Sequence, residues 1–145
     1  MNAFERRVRA AVYASFRAEA AAPSVSRLAA DLAASREDVA AALRALAELH
    51  CLVLVPGTEA VWMAHPFSGI ETDFRVTVGP RRWFANCAWD GLALLALLGD
   101  GSLATHSPTT GEPLGFEACG GRIRGDGVVH FLVPARWFWD DIGHT

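Results

Sequence analysis

Residues 83–98 read WFANCAWDGLALLALL, in which a polar and aromatic opening leads into an apolar run that stops before Gly99. Asparagine is a favourable N-cap residue and glycine a favourable terminator, so the stretch predicts a helix that starts after Asn86. Cys87 then lies in the first turn of that helix, and Asp90 lies on the same face one turn later.

The pair formed by Cys87 and Asp90 places a soft nucleophile beside a proton donor. Unpaired N–H groups and the macrodipole at a helix start favour the thiolate form of Cys87. The nearby carboxylate opposes it by repulsion, so we expect the two groups to share one proton. Alternatively, Cys87 is a small buried residue and Asp90 a solvated acid, since free cysteine is often buried. Spacing alone leaves both interpretations open.

The composition is typical of a compact globular protein. With 145 residues and 52% hydrophobic side chains, the chain can form one core or two small subdomains that share one. No apolar run approaches the roughly 18 residues that span a bilayer. The first residues are charged and do not form a signal-peptide pattern. We therefore expect a cytoplasmic protein with no membrane partner.

The cysteines Cys51, Cys87 and Cys119 are odd in number and far apart, and they form no CxxC pair. This pattern indicates neither a disulfide framework nor a structural zinc site. Any function of these residues is expected to be that of a free thiol.

The first part of the chain, residues 1–65, is predicted to be a winged-helix domain. Apolar residues at helical spacing predict a helix over residues 3–19, and Ser24 and Ser35 are expected to cap two further helices. Two β-rich runs then flank a Pro-Gly turn, and they predict the strands 51–55 and 60–64.

A winged helix often binds DNA through its third helix, but the charges here argue against it. Residues 1–65 contain seven Arg and seven acidic residues, and residues 66–145 contain six Arg and nine acidic residues. Neither part has the basic excess expected of a nucleic-acid binder, so a nucleic-acid partner is not expected.

The remaining residues, 66–145, are predicted to be a mostly antiparallel β-sheet core that carries the one buried helix. Residues 65–69 are interpreted as a linker because Pro and Gly bracket them. Alternation and turn signals predict strands, the last two joined as a hairpin at residues 125–127. These strands are 72–78, 102–106, 115–118, 121–124 and 128–133. The predicted fold class is therefore α+β, a winged-helix unit packed on this core.

The C-terminal aromatic cluster, which contains Trp137, Phe138 and Trp139, has two interpretations. It forms either an apolar wall over a pocket or ordinary edge packing.

The order of these features resembles the alkylmercury lyases, also called organomercurial lyases. The resemblance is carried by the winged-helix part running into His65-Pro66-Phe67-Ser68, and most specifically by Trp83-Phe84-Ala85-Asn86-Cys87-Ala88-Trp89-Asp90. It continues through Val128–Pro134 and Trp139-Asp140-Asp141-Ile142.

The resemblance implies that Cys87 binds mercury as a thiolate and that Asp90 protonates the carbon–mercury bond. It implies no cofactor, because mercury is part of the substrate, and a partner that is a small organomercurial or a soft metal ion. The family uses a second cysteine shortly after the tail strand, and no cysteine up to Thr145 matches it. Cys119 is then the first candidate for a second mercury ligand, and slow or absent cleavage is expected.

Two other functions stay open. The chain could be a relative with the same fold that acts on another small molecule, or a non-catalytic metal-binding or regulatory winged-helix protein.

Overall fold

A computed structural model describes residues 1–143. The helices are α1 (Ala3–Glu19), α2 (Val25–Leu32), α3 (Arg36–Glu48) and α4 (Ala88–Leu98). The strands are β1 (Val53–Leu54), β2 (Val61–Ala64), β3 (Phe67–Ser68), β4 (Arg75–Val78), β5 (Arg81–Ala85), β6 (Gly101–His106), β7 (Pro113–Cys119) and β8 (Arg122–Arg124). A 3₁₀ segment, Ala135–Asp140, follows them. The α+β class is confirmed.

The first three helices begin where the polar residues of the sequence allow a cap. The Asn2 side chain accepts a hydrogen bond from the Glu5 N–H at the start of α1. Ser24 caps α2 and Ser35 caps α3 in the same way. Each cap satisfies an N–H that the helix leaves without a partner, so both predicted serine caps are confirmed.

One antiparallel sheet of eight strands runs through the whole fold in the order β1-β2-β3-β5-β4-β6-β7-β8. Strand β3 lies inside the segment that was predicted to be a linker, and it pairs with both β2 and β5. Phe67 and Ser68 are both buried. The linker prediction is therefore wrong, because a Pro and a Gly bracket a two-residue strand here rather than a flexible connection.

The register of the central strands gathers the large apolar side chains on one face of the sheet. Val76 lies opposite Trp83 on one side and opposite Leu103 on the other, and Leu103 lies opposite Phe116. All four side chains are buried. Residues directly opposite each other share a face of the sheet, so these four side chains form the apolar surface on which the helices pack.

Helices α1 and α4 both pack on this face. The indole N–H of Trp83 donates to the Phe16 carbonyl of α1 at 2.6 Å, and the Phe16 ring stacks on Phe67 with centroids 5.1 Å apart. In α4, a Cβ at Gly91 would lie 2.7 Å from Leu103, so glycine permits a close approach of helix and strand. The N-terminal helices and the sheet therefore share one core.

The C-terminal third differs most from the prediction. The observed hairpin joins β7 to β8 through Gly120 and Gly121, both of which have positive φ. Residues 128–133 form no strand, and Val128 is 92% exposed. The turn forms at the earlier glycine pair because two adjacent residues with positive φ make the tight hairpin that Gly-Gly favours.

Among the helices of residues 1–143, none combines the length and the apolar character that a membrane span requires.

The shared core predicts that the protein unfolds in a single transition. We expect Trp83→Phe to lower the free energy of unfolding by about 1–3 kcal/mol, because it removes a buried hydrogen bond and indole volume. Trp137→Phe, at a half-exposed indole, is the matched control and should change the value by less than about 0.5 kcal/mol. Urea unfolding followed by circular dichroism measures both, and two separate transitions would contradict a shared core.

Candidate functional site

Helix α4 begins one residue later than the sequence predicted. Cys87, rather than Asn86, is the N-cap: its backbone is extended, and its sulfur accepts a hydrogen bond from the Asp90 N–H at 3.5 Å. Sulfur is a weak acceptor, so this cap is weaker than the oxygen caps of the other helices. This capping contact places the thiol of Cys87 against the backbone of Asp90.

Asn86 does not cap the helix: its Oδ1, the atom that would accept a helix N–H, is buried with no hydrogen-bond partner in the described chain. Its Nδ2 donates to the Asp90 carboxylate at 2.8 Å and to the Phe67 carbonyl of β3 at 3.2 Å. Both partners are acceptors, which fixes the orientation of the amide. The prediction that Asn86 is the N-cap is therefore wrong, and the residue instead ties α4 to the sheet.

His65, at the end of β2, completes the cluster. Its Nδ1 lies 3.2 Å from Asp90 Oδ2, the same oxygen that Asn86 contacts. The Asp90 side chain is only 13% exposed, so these polar partners matter for a charge held largely out of water. The Tyr13 hydroxyl donates to the His65 carbonyl at 3.0 Å and holds the backbone there.

Burial raises the pKa of the Cys87 thiol, and the negative charge of Asp90 raises it further. The N–H groups of Asp90 and Trp89 act in the opposite direction but are outweighed by burial. The N–H groups at the helix start favour the thiolate, as expected, but burial and the charge of Asp90 place the pKa of Cys87 above its ordinary value.

Aromatic side chains of the C-terminal segment border this cluster. The Trp139 ring meets the His65 ring edge to face, with centroids 6.1 Å apart, and stacks on His50 at 4.1 Å. Phe131 contacts Trp89 in the first turn of α4 at 6.3 Å. The C-terminal segment thus brings apolar surface to two sides of the site.

The other two aromatic residues of the C-terminal cluster contact neighbours within the C-terminal segment. Phe138 packs on Phe131 with ring centroids 5.2 Å apart, and the half-exposed Trp137 lies beneath Arg136.

The structure does not bring Cys119 to Cys87. Cys119 ends β7 next to Ala118, which pairs with Gly101 just after the end of α4. Since α4 has 11 residues, the two cysteines lie at opposite ends of a helix about 16 Å long. Cys119 is exposed, and the Cys51 thiol donates to the Leu49 carbonyl before β1.

A surface groove also lies away from the Cys87 cluster. It has a volume of about 770 Å³ and is lined by α1, the β4–β5 turn and the last turn of α4, with Arg17 and Arg81 at its wall. Within residues 1–143, no group of three or more His, Cys, Asp or Glu side chains is placed to hold a metal ion.

Sequence reasoning missed two members of the cluster. His65 was placed in a linker and Asn86 was interpreted only as a cap. The available signal was that both residues occur in the segments quoted for the family resemblance, 65–68 and 83–90.

The comparisons with known proteins identify the family of the chain. The model of the family described as "MerB: Alkylmercury lyase" matches residues 67–143, which is more than half of the chain and contains Asn86, Cys87 and Asp90. The chain belongs to the alkylmercury lyase family. The resemblance stated from the sequence is thereby confirmed.

A solved structure, titled "Crystal structure of the mercury-bound form of MerB2", shares the fold of this family member. The TM-score is 0.68 at 23% sequence identity, and the match covers 86% of this chain. It covers 60% of the other chain, so this chain spans about three fifths of that protein's length. No curated protein matches significantly.

The raised pKa of Cys87 in this alkylmercury lyase family member predicts slow alkylation at neutral pH. We expect iodoacetamide to label the exposed Cys119 before Cys87, and labelling of Cys87 to accelerate only above the ordinary thiol range, about pH 8.5. Asp90→Asn should move this acceleration to lower pH, because the repelling charge is removed. Peptide mapping after timed alkylation at several pH values measures this, and Cys87 labelling first at neutral pH would contradict it.

Proposed function

We propose that the chain binds an organomercurial through the sulfur of Cys87 and that Asp90 protonates the carbon bonded to mercury. The observation that carries the proposal is the 3.5 Å contact between the Cys87 sulfur and the Asp90 N–H. It places a carboxyl group one helical turn from a thiol in a member of the alkylmercury lyase family.

Binding follows from the softness of both atoms. Mercury(II) prefers thiolate sulfur over oxygen or nitrogen ligands. The resting thiol is protonated, so formation of the sulfur–mercury bond displaces its proton. Asp90 is the nearby base that accepts this proton, since its carboxylate belongs to the residue whose N–H contacts the sulfur.

Cleavage then returns the same proton to carbon. Sulfur donates electron density to mercury and weakens its bond to carbon. Asp90 transfers the proton as that bond breaks, and the bonding electron pair becomes the new carbon–hydrogen bond. The alkane leaves and mercury(II) stays on Cys87. No external oxidant or reductant is needed.

The mercury-bound neighbour supports mercury as the ligand, because its title names that ion and its fold matches 86% of this chain. The Cys87 and Asp90 roles rest on the family match and on the contact geometry. The two other functions suggested by the sequence, action on another small molecule and non-catalytic metal binding or regulation, have no comparable support from a named contact.

We also propose that the protein captures one methylmercury efficiently and cleaves it slowly. The Cys51 thiol bonds to the Leu49 carbonyl and Cys119 lies about one helix length from Cys87, so within residues 1–143 we expect mercury to gain one sulfur at the Cys87 cluster. A single sulfur leaves the carbon a poorer proton acceptor than two would. Cys119 stays the alternative second ligand, and it would need movement over roughly the length of α4.

We also propose a domain organisation for the chain. Residues 1–65 form a winged-helix unit whose helices cover the sheet, and residues 66–145 form the catalytic core. The balanced charge of the first unit supports a covering role rather than nucleic-acid binding. The free cysteines Cys51, Cys87 and Cys119 suit a protein that works in the cytoplasm.

Methylmercury capture and methane release test the proposal in a Cys51→Ala, Cys119→Ser background, in which Cys87 is the one remaining thiol. We expect one methylmercury per chain by intact mass and slow methane release by gas chromatography. Adding Cys87→Ser should abolish both. Adding Asp90→Asn should preserve capture and lower methane release by about 10²–10⁴-fold, because the proton donor is lost.

Asp73→Asn is the matched control, because this carboxylate is 74% exposed and pairs only with Arg75 at 3.7 Å among the ion pairs of residues 1–143. It should change neither readout. Methane release at the parent rate from Asp90→Asn would contradict the role of Asp90. Rapid methane release from the unsubstituted protein that disappears in the single variant Cys119→Ser would identify Cys119 as a second ligand.

A further inference from the structure

Both hydrogen bonds to the Asp90 carboxylate reach the same oxygen. Oδ2 receives Asn86 Nδ2 at 2.8 Å and lies 3.2 Å from His65 Nδ1, and within residues 1–143 no side-chain or backbone donor bonds to Oδ1. A proton on Oδ2 would displace one of two donors. A proton on Oδ1 displaces neither, so the contacts select the oxygen that can carry a transferable proton.

The geometry also selects the tautomer of His65. Asn86 Nδ2 lies 3.3 Å from His65 Nδ1, but its two protons have nearer acceptors in Asp90 Oδ2 at 2.8 Å and the Phe67 carbonyl at 3.2 Å, so Asn86 does not need the His65 nitrogen as a partner. Nδ1 faces a carboxylate oxygen and therefore carries the proton. His65 Nε2 is buried with no hydrogen-bond partner in the described chain, and an unpaired N–H there would cost more than a bare nitrogen.

We propose that His65 is a positioning residue for the proton transfer: its Nδ1–H and the Asn86 amide hold Oδ2 of Asp90, so that the transferable proton sits on Oδ1. This rests on the proposed function, in which Asp90 is the proton donor. His65 touches neither the thiol nor the reacting carbon in this scheme. It acts by fixing one rotamer and one oxygen of Asp90, and its own position is held by the Tyr13 bond and the Trp139 contact.

Three substitutions distinguish the role of the His65 hydrogen-bond donor from the role of its aromatic ring. His65→Phe keeps an aromatic ring against Trp139 but removes the donor. His65→Asn places an amide N–H at the position of Nδ1, whereas His65→Gln places it one bond farther, near Nε2. A role in packing alone predicts that Phe is the best replacement, and a role in holding Asp90 predicts that Asn is.

The kinetic test measures methane release after stoichiometric loading with methylmercury, in the variant where Cys87 is the one remaining thiol. We expect all three His65 variants to capture one methylmercury. His65→Phe and His65→Gln should release methane about 10²-fold more slowly, since a misplaced proton donor costs about that much. His65→Asn should recover most of the rate.

A spectroscopic test does not depend on turnover. In ¹⁵N-labelled protein, the His65 side-chain resonances, assigned by their absence in His65→Phe, should show a protonated Nδ1 and a bare Nε2. Asp90→Asn should weaken this preference, because the amide is a poorer acceptor than the carboxylate.

The outcomes distinguish the two proposals. If the parent chain releases no methane while His65 shows the Nδ1–H form, the proposed cleavage fails and the positioning of Asp90 stands. If His65→Phe releases methane at the parent rate, or if His65 shows the Nε2–H form, the positioning role is overturned and the proposed cleavage is unaffected.

Discussion

The two donor protons of the Asn86 amide constrain the whole site. One is bound by the Phe67 carbonyl in β3 and the other by Asp90 in α4, so a single side chain joins the sheet to the start of the helix. The Asn86 Oδ1, the atom that would accept a helix N–H, is buried without a partner among the described residues, and the cap of α4 is the Cys87 sulfur. Asn86 thus ties the start of α4 to the sheet through its nitrogen, while the Cys87 sulfur contacts the N–H of the carboxyl-bearing Asp90.

This constraint holds only while the sheet and α4 keep their relative positions. Close packing of Gly91 on Leu103 fixes the helix against β6, and the indole of Trp83 fixes α1 against β5. The N-terminal helices thereby contribute to the site without supplying a group to it, except through the Tyr13 bond to the His65 carbonyl. Cys87 is half-buried at the start of this helix, and that burial raises the pKa of its thiol.

The parts of the structure that depend on local pattern could be predicted from the sequence. The helices at 3–19 and after Ser24 and Ser35, and the antiparallel strand at 102–106, follow from apolar periodicity and caps. The predicted strand 128–133 does not form, because the Gly120–Gly121 pair closes the hairpin earlier. Strand β3 was missed because two residues carry no periodicity, and only pairing with β2 and β5 defines it.

The candidate site also contains residues that could be predicted from the sequence and residues that could not. Cys87 and Asp90 could be selected from their spacing at a helix start, and the family match contains both. His65 is 25 residues from Asp90, so only the pairing of β2, β3 and β5 brings its ring to that carboxylate. The N–H groups that favour the thiolate of Cys87 could be predicted from the helix start, but the burial that outweighs them could not.

The most direct test of the account is a crystal structure of the protein loaded with one equivalent of methylmercury, with mercury located by anomalous diffraction. The account predicts one strong mercury peak bonded to the Cys87 sulfur, next to an Asp90 carboxylate still held through Oδ2 by Asn86 and His65. Mercury on Cys51 or Cys119, with Cys87 unmodified, would contradict it.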